Sequence, residues 1–482
     1  MNPPMPPESQ TESTSWGDLL RGTDGVICWI VILATALHAT QILVIAIIMP
    51  TVVADIGGAA YYTWPTMLYT IGAIVGAACV GPLWASLGRR NGFAASAAVF
   101  LIGSVGCALA PDITVLNAAR MVQGFAGGLL NGGGLALISA RFSPARRKRA
   151  LALTQAVWMF AQLSGPVIGG AFAEIGWWRG TFWVMFPLVA VFIALVYLKL
   201  PDDPGDEAAA AGSTRLPYFR LSMLAAGVFA VGLAGPMEGT AARVGLMVIA
   251  VALIGWALWL DRRAENRLYP TGAFSLFSPI GPALWILFLS GMVQIAVLLF
   301  LPLLLQVVHG ITPLLISFVS IVISFGWTAG TFAVAGWSGR REDLALVAGP
   351  VLMIAGLVGI TVTAQSSSLV VLTISALVLG VGVGIHFVHL QARTMGNARP
   401  GEERITAAAM PSIRALGTAF GAAAAGVLST MAGLGDATDP IAVGNAVVVV
   451  YGATMVPAIC AAALMIWLVR MSPAKGPARG GT

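Results

Sequence analysis

The stretch WASLGRR occupies residues 84–90, directly after a long apolar run, and GWSGRR occupies residues 336–341 after another such run. Each apolar run is long enough to cross a bilayer as a helix, which takes roughly 20 residues. A Gly-Arg-Arg sequence at the same end of two separate membrane helices indicates an internal repeat. The sequence therefore predicts two halves of similar helical plan, with a binding site between them near the bilayer midplane.

The composition of the chain requires a lipid environment. Of its 482 residues, 58% are hydrophobic and 10% are charged, and the mean hydropathy is +0.88. About a quarter of the residues of a soluble domain are charged, so this chain has too few charges to cover a water-exposed surface. The 57 glycines suit a bundle of closely packed membrane helices. We therefore predict an all-α membrane protein embedded in the lipid bilayer.

Fourteen apolar segments qualify as transmembrane helices. The loops that carry most arginines and lysines fall on one side of this arrangement, while Arg179 and Arg243 fall on the other. Basic loops face the cytoplasm, so we expect both termini inside the cell and a multi-pass protein of the bacterial inner membrane. The basic pI of 9.4 then reflects topology, not binding to nucleic acid. The predicted spans are 26–50, 62–84, 93–111, 114–140, 150–173, 180–199, 220–236, 243–260, 279–305, 312–336, 344–364, 368–391, 405–431 and 443–469.

The predicted domain organisation follows from these spans. The N-terminal segment is polar and proline-rich, which favours disorder, and an acidic, alanine-rich linker follows the sixth span. The two helices after that linker carry few polar residues, so we expect them at the periphery. The cysteines lie in apolar runs without CxxC spacing, which argues against a metal site. The division is 1–24 disordered cytoplasmic tail, 25–200 N-terminal six-helix half, 201–219 cytoplasmic linker, 220–260 two extra helices, 261–278 cytoplasmic loop, 279–470 C-terminal six-helix half and 471–482 cytoplasmic tail.

Five short motifs resemble those of the major facilitator superfamily, in its fourteen-helix drug:proton antiporter-like branch. They occur in the order in which that branch carries them, over about residues 25–470. The resemblance implies a major facilitator fold whose two halves alternate access to a central site, with two extra helices between them. The motif residues are Gly81, Gly88, Arg89 and Arg90 in a loop motif, Arg120, Gln123 and Gly124 on the fourth helix, Gly165, Pro166, Gly169 and Gly170 on the fifth, Arg179 after it, and Arg414, Gly417 and Gly421 on the penultimate helix.

The sequence departs from that branch at two positions where the branch carries a carboxylate. Ala85 replaces the carboxylate of the loop motif, and Gln41 replaces a membrane-embedded aspartate of the first helix. The resemblance implies that the loop motif acts in gating and that Gly165 and Pro166 let the halves rock. Plain positive-inside topology and a simple packing groove are the alternative interpretations of these two motifs.

Histidines are the residues that could carry a proton in the core, because no aspartate or glutamate falls at the middle of a predicted span. Histidine titrates near neutral pH. His38 lies three residues before Gln41 on the first helix, and His386 and His389 share a face of the twelfth. Each of these histidines is a candidate for proton or substrate binding, and the alternative is a histidine bonded to a neighbouring helix.

Two arginines, Arg120 and Arg414, fall inside predicted spans, where a charge is costly without a partner or a wet cavity. Each is either a substrate-binding residue or a structural one bonded to backbone carbonyls, and the sequence leaves both interpretations open. Gln155, Trp158 and Gln162 share a face of the fifth helix. We expect this face to line the cavity, because it is costly against lipid. Weaker candidates of the same kind are Gln123, Asn131 and Gln294.

These features predict a secondary active transporter that exports a small amphiphilic, drug-like compound by alternating access. Because no lysine follows a glycine, the chain lacks a phosphate-binding loop for ATP. Cations without carboxylates in the cavity favour a neutral or anionic substrate, and any coupled proton would be carried by histidine. One alternative is an uncoupled facilitator, importer or flippase for an organic anion or lipid-like substrate, and another is a non-transporting sensor or scaffold. We expect no enzymatic activity, cofactor or metal, and function as a monomer.

Overall fold

The computed structural model describes residues 22–142, 144–201, 217–365, 368–435 and 437–471. The regular structure within these ranges is helical, as the apolar runs predict. The first helix already begins at Gly22, slightly before the predicted end of the N-terminal tail. The rest of that tail, most of the linker 201–219 and nearly all of the tail 471–482 lie outside the described residues.

Fourteen helices, labelled α1 to α14, make up the described chain, and the predicted fourteen-helix fold is confirmed. Twelve of the helical stretches are long and apolar enough to cross a membrane. The second pass is made of the 15-residue helix α2 continued by the first turns of α3, and α7 is a shorter apolar helix of 16 residues.

Most helix bounds lie within a few residues of the predicted spans, but α2 ends earlier and α3 begins earlier than predicted. In the N-terminal half they are α1 Gly22–Ile56, α2 Trp64–Ala78, α3 Val80–Ala108, α4 Ile113–Arg141, α5 Pro144–Glu174 and α6 Gly180–Lys199. The extra helices are α7 Tyr218–Leu233 and α8 Thr240–Arg263. The C-terminal half contains α9 Gly281–Leu303 with a π-helical end at Leu304–Val308, α10 Pro313–Val334, α11 Arg340–Thr363, α12 Leu369–Gly396, α13 Glu403–Met431 and α14 Pro440–Met471.

The two Gly-Arg-Arg sequences adopt related backbone conformations. Gly88 interrupts the helical conformation inside α3 with φ 75° and ψ 168°, and this is where the chain turns from the second pass into the third. Gly339 has φ 61° and ψ −132° and immediately precedes α11. Side chains with a Cβ rarely tolerate such positive φ values, so both repeats require glycine at the turn.

The helix packing repeats between the two halves. In the N-terminal half α4 packs on α2 and α3, while α1 packs on α5; in the C-terminal half α12 packs on α10 and α11, while α9 packs on α13. Glycines set these close approaches, because a Cβ on Gly76 of α2 would overlap the backbone of Phe125, and one on Gly384 of α12 would overlap that of Trp327. The internal repeat in the sequence is therefore also a repeat in packing.

The two extra helices differ in their surroundings. Helix α8 packs mainly on α7. Only 17% of the residues in its most apolar stretch are buried, so it lies at the periphery as expected. Helix α7 instead contacts both α2 and α13. The Phe229 ring lies 5.6 Å from that of Trp64, and the Thr430 hydroxyl donates to the Gly235 carbonyl at 3.0 Å. The expectation that both extra helices are peripheral is thus wrong for α7, which bridges the halves.

The halves meet at one end of the bundle, which we call the closed end. There the Tyr62 hydroxyl donates to the Leu299 carbonyl at 3.1 Å, and the backbone N–H of Leu314 donates to Glu174 at 3.1 Å. The opposite end carries most of the described arginines, among them Arg393, and we call it the basic face. The buried core at the closed end is built from the C-terminal parts of α1, α9 and α13 and the N-terminal part of α14.

Candidate functional site

A first polar cluster lies inside the N-terminal half, where α1, α2 and α4 meet. Its geometry follows from glycines: a Cβ on Gly124 would overlap the backbone of Tyr69, and one on Gly72 would lie 2.5 Å from the Met121 carbonyl oxygen. This close packing of α4 on α2 places Arg120 against Tyr69. The guanidinium carbon of Arg120 lies 4.2 Å from the centroid of the Tyr69 ring, a favourable cation–π distance.

Every guanidinium nitrogen of Arg120 has a neutral hydrogen-bond acceptor. Nη1 donates to Oε1 of Gln123 at 2.6 Å and to Oε1 of Gln41 at 3.4 Å. Nη2 donates to the backbone carbonyl of Gln41 at 3.2 Å, and Nε donates to that of Pro65 at 3.3 Å. The side chain is fully buried. Bonds of this kind are what we expected if Arg120 is a structural residue. Gln41 supplies an amide oxygen at the position where the fourteen-helix antiporter-like branch has a carboxylate.

The two glutamines of this cluster also have partners for their amide nitrogens. Nε2 of Gln123 donates to the Ser104 hydroxyl at 2.8 Å, and Nε2 of Gln41 donates to the Thr181 carbonyl at 3.2 Å. Buried polar groups are stable when each donor and acceptor is paired. The cluster thus ties α1, α3, α4 and the start of α6 together without any carboxylate.

His38 adjoins this cluster and is not an isolated histidine. Its Nδ1 lies 3.0 Å from the Tyr69 hydroxyl oxygen, and that hydroxyl donates to the His38 carbonyl at 3.3 Å. The Trp158 ring of α5 meets the imidazole edge-on, with centroids 6.0 Å apart. His38 and Gln41 share a face of α1, and there His38 bonds to Tyr69 while Gln41 bonds to Arg120. Tyr69 was not among the candidates that the sequence analysis identified.

A second polar cluster lies in the C-terminal half around Arg414 of α13. Helices α9 and α13 approach closely, because a Cβ on Gly291 would lie 2.6 Å from the Arg414 carbonyl oxygen. Gln294, one turn further along α9, accepts a hydrogen bond from Nη2 of Arg414 at 2.7 Å. The guanidinium carbon lies 5.0 Å from the ring centroids of both Trp327 and Phe387. Neither ring was among the candidates from the sequence. The only signal for them was the set of glycines near each ring along α10 and α12, which indicates that these two helices pack closely.

The paired histidines of α12 point to different neighbours. Nδ1 of His386 lies 2.8 Å from the Gly382 carbonyl, and its Cβ would be 2.6 Å from a Cβ on Gly349 of α11. Nε2 of His389 lies 2.9 Å from the Val334 carbonyl at the end of α10. The structure therefore does not bring the two imidazoles into one site, and their functional role stays a prediction.

The predicted polar face of α5 is partly accessible. Gln155 is exposed, and Trp158 and Gln162 are half-buried, with only Trp158 in ring contact with the first cluster. Asn131 is half-buried on α4, about three helical turns from Arg120 towards the basic face.

The Gly-Pro motif of α5 lies at the contact between the halves. The Ser317 hydroxyl of α10 donates to the Pro166 carbonyl at 2.6 Å. A Cβ on Gly170 would overlap that hydroxyl, while Gly165 and Gly169 pack closely on α1. The motif thus lets α5 touch α1 on one side and α10 on the other.

The loop motif and its repeat differ in charge. In the first copy Gly81 is exposed and Arg90 lies 5.7 Å from the Tyr197 ring centroid; Arg89 is half-buried beside it. In the second copy Glu342 and Asp343 follow the arginines and bind Arg393 of α12 at 2.6 and 2.8 Å. This ion-pair network was not predicted from the sequence. The signal for it was the pair of carboxylates, Glu342 and Asp343, directly after the repeated motif.

The motif after α5 joins three loops at the closed end. Arg179 donates to Asp55 at 2.6 Å and to the Ala110 carbonyl at 3.0 Å. The Trp178 indole N–H donates to the same carboxylate at 3.0 Å. Arg179, which follows α5, therefore holds the ends of α1 and α3 together.

The described residues contain no group of three or more metal-ligating side chains. Their carboxylates lie at helix ends and in loops, as the sequence indicated, while arginines, amides and aromatic rings occupy the interior. Such an arrangement can bind and orient a molecule. Fourteen apolar helices in two similarly packed halves, with a polar cluster inside each half, are the architecture of a multi-pass membrane transporter.

The comparisons with known proteins identify the family. The model of the Major Facilitator Superfamily matches residues 31–422, and the chain belongs to this superfamily. A probable multidrug-efflux transporter of Mycobacterium tuberculosis (strain ATCC 25618 / H37Rv) is 32% identical over 443 residues, covering 89% of this chain and 92% of the relative. An efflux pump, dotC, of Dothistroma septosporum is 28% identical over 86% of this chain and 74% of its own.

Solved structures show the same fold. A D-xylose-proton symporter matches with a TM-score of 0.63 and 14% identity. The match covers 94% of this chain and 98% of the symporter chain. The human organic anion transporter MFSD10 matches with a TM-score of 0.53 and 16% identity, over 92% of this chain and 100% of its own.

Proposed function

We propose that the protein is a secondary active transporter that exports small amphiphilic, drug-like molecules, neutral or anionic, by alternating access. The observation that carries this proposal is the partnering of the two core arginines. Arg120 and Arg414 are met by amide and carbonyl oxygens and by aromatic rings, so their positive charges stay uncompensated. A positive interior attracts anions and disfavours cations. The efflux relatives support the direction of transport.

The proposed orientation places the basic face in the cytoplasm of a bacterial cell, together with both termini. Basic loops are retained on the cytoplasmic side of membranes. The closed end then faces outwards, and we propose that this conformation is open to the cytoplasm. Substrate would enter from the cytoplasm or inner leaflet, as export requires. The loop motif Gly88-Arg89-Arg90 and the contact at Pro166 and Gly170 are the proposed gates.

We assign the coupled proton to His38. Its imidazole bonds Tyr69, which also stacks on Arg120, and it touches Trp158 on the partly accessible face of α5. A change of charge on His38 would therefore be felt both by the buried cluster and by the cavity-facing helix. His386 and His389 have backbone partners within the C-terminal half and are weaker candidates.

Inside-out vesicles containing the full chain test this proposal. Carboxyfluorescein, Nile red and ethidium provide an anionic, a neutral and a cationic probe. We expect uptake of the anionic or neutral probe when the vesicle lumen is acidified, and loss of that uptake with a protonophore. Preferential uptake of ethidium would contradict the substrate class, and failure to move any of a wide panel of ligands that bind would revive the sensor or scaffold alternative.

The alternative of an uncoupled facilitator, importer or flippase also has structural support. Gln41 and Ala85 stand at the two positions where the antiporter-like branch has a carboxylate. Arg120 donates its hydrogen bonds to neutral groups. Probe movement that follows its own gradient and is unchanged by a protonophore would favour this alternative over the coupled exporter.

A further inference from the structure

The two core arginines differ in how far their hydrogen bonds are satisfied. Arg120 uses Nε, Nη1 and Nη2 in four hydrogen bonds and is 0% exposed. Arg414 makes one described side-chain hydrogen bond, from Nη2 to Gln294, and is half-buried. A guanidinium has five N–H donors, so most donors of Arg414 are available within the bundle while those of Arg120 are committed to the protein.

Gln294 adds a second unpaired donor beside Arg414. Its Oε1 accepts the hydrogen bond from Arg414, which fixes the orientation of the amide and turns Nε2 to the other side. That Nε2 is buried and has no hydrogen-bond partner in the described part of the chain. A buried donor without an acceptor is unfavourable, and native structures rarely leave one without a functional reason.

The aromatic rings hold the guanidinium in place without using its donors. Trp327 from α10 and Phe387 from α12 each lie 5.0 Å from the guanidinium carbon, and their own centroids are 5.5 Å apart in an edge-on arrangement. Contact through ring faces is a cation–π interaction and leaves the N–H edge free for an acceptor. The rings also offer apolar surface next to that edge.

We propose that Arg414 and the amide nitrogen of Gln294 bind the oxyanion of an amphiphilic organic anion, whose apolar body packs against Trp327 and Phe387. Arg120, by contrast, is a structural residue. A carboxylate suits this site because arginine binds it through two parallel hydrogen bonds. The inference rests on the proposed transport function and narrows its substrate class to compounds with an oxyanion next to an apolar ring or chain. A dissolved organic acid and an anionic lipid headgroup share this chemistry.

Binding to the purified full chain in a neutral detergent tests the site. Naphthaleneacetate and naphthaleneacetamide form a matched pair that differs in charge, and dioleoyl phosphatidylglycerol provides the lipid arm. We expect the acid to bind more tightly than the amide, and Arg414→Gln to weaken acid binding roughly 10- to 100-fold with little effect on the amide. Arg243→Gln, at the exposed start of α8, is the matched control and should leave both affinities unchanged.

A second variant guards against misfolding of Arg414→Gln. Gln294→Glu keeps the shape of the side chain and places a carboxylate on the guanidinium, so it should abolish acid binding while the protein remains folded. Equal affinity for acid and amide in the natural protein, or unchanged acid preference in both variants, would overturn the proposal. Binding of phosphatidylglycerol that is lost in Arg414→Gln, without binding of naphthaleneacetate, would support the site and identify a lipid headgroup as the source of its oxyanion.

The outcomes separate this inference from the proposed function. Acid-selective binding that depends on Arg414, with no probe movement in vesicles, would support the site and count against export. Movement of naphthaleneacetamide and Nile red without acid selectivity would support export and overturn the site.

Discussion

The Tyr69 hydroxyl and the His38 imidazole are 3.0 Å apart, and Gly127 of α4 leaves the space that this contact needs. A Cβ on Gly127 would lie 2.6 Å from the Tyr69 hydroxyl oxygen and 2.8 Å from Nδ1 of His38. The contact between His38 of α1 and Tyr69 of α2 thus depends on α4, which has a glycine without a side chain at this position.

Replacing Gly127 by alanine should separate His38 from Tyr69. Overpacking of a close-packed interior costs about 1–3 kcal/mol, so we expect a lower melting temperature of the purified protein and weaker pH dependence of transport. Gly245→Ala on α8 is the matched control, because nothing lies within 4 Å of its Cβ position. An unchanged melting temperature in both variants would show that the cluster has room to relax.

The coupling role of His38 can be tested by removing its partner without removing the ring. Tyr69→Phe deletes the hydroxyl but keeps the face on which Arg120 stacks, so we expect a stable protein whose transport depends less on pH. His38→Ala should abolish the pH dependence altogether. Transport rates in proteoliposomes at several pH values measure both effects. A pH dependence that survives in His38→Ala would exclude this histidine as the proton carrier.

The sequence could predict those features that depend on neighbours along a single helix. The length of the apolar runs predicted the fourteen helices. Arg120 and Gln123, both candidates from the sequence, lie one turn apart on α4 and bond at 2.6 Å. The alternative in which Arg120 bonds to a first-helix carbonyl also matches an observed bond, to the backbone of Gln41.

Contacts between distant helices were beyond the sequence. Tyr69 beside His38, and Trp327 with Phe387 around Arg414, meet because glycines allow α2 to approach α4 and α10 to approach α12. Helical periodicity defines which face a residue occupies but not which helix covers that face. The bridging position of α7 was missed for the same reason, since its apolar surface fits lipid and protein equally well.

Gln41 should be essential for the stability of the first cluster. Gln41→Leu removes the side-chain acceptor of Arg120 and the donor to Thr181, and losing a hydrogen bond to a charged group costs about 1.5–3 kcal/mol. We expect a clear fall in melting temperature. Gln41→Glu keeps the shape and adds the charge opposite to Arg120, so it should remain near the natural stability. Equal losses in the two variants would mean that the amide donor to the Thr181 carbonyl, which both variants remove, matters more than the acceptor for Arg120.

Asp261 holds the extra helices together at the basic face. It accepts from Arg220 of α7 at 2.5 Å and from the backbone N–H groups of Leu268 and Tyr269 at 2.8 and 3.1 Å. Burial raises the pKa of Tyr269 to about 12, so this tyrosine stays neutral at physiological pH. Breaking a buried ion pair costs about 3–5 kcal/mol.

We therefore expect Asp261→Asn to destabilise the purified protein strongly, because Arg220 would keep a buried, uncompensated charge. Glu265→Gln is the control, since it makes the same chemical change at an exposed position four residues away. Melting temperatures in detergent compare the two. Similar values would indicate that water reaches Arg220 and compensates its charge.

The closed end should open when α5 and α10 can no longer touch. A Cβ on Gly170 would overlap the Ser317 hydroxyl and lie 2.7 Å from the Pro313 carbonyl oxygen, so Gly170→Ala should shift the protein away from the conformation described here. Destabilising this conformation by about 1.4 kcal/mol lowers its ratio to the other states about tenfold.

Disulfide cross-linking across the closed end measures this shift. Thr51 and Gln306 belong to different halves and bond at 3.4 Å, so cysteines at these two positions should cross-link readily once the native cysteines are replaced. We expect Gly170→Ala to slow this cross-linking, whereas Gly452→Ala, with nothing within 4 Å of its Cβ position, should not. Equal rates in the two variants would mean that α5 and α10 do not hold the closed end shut, and would move the gate to the contact between Tyr62 and α9.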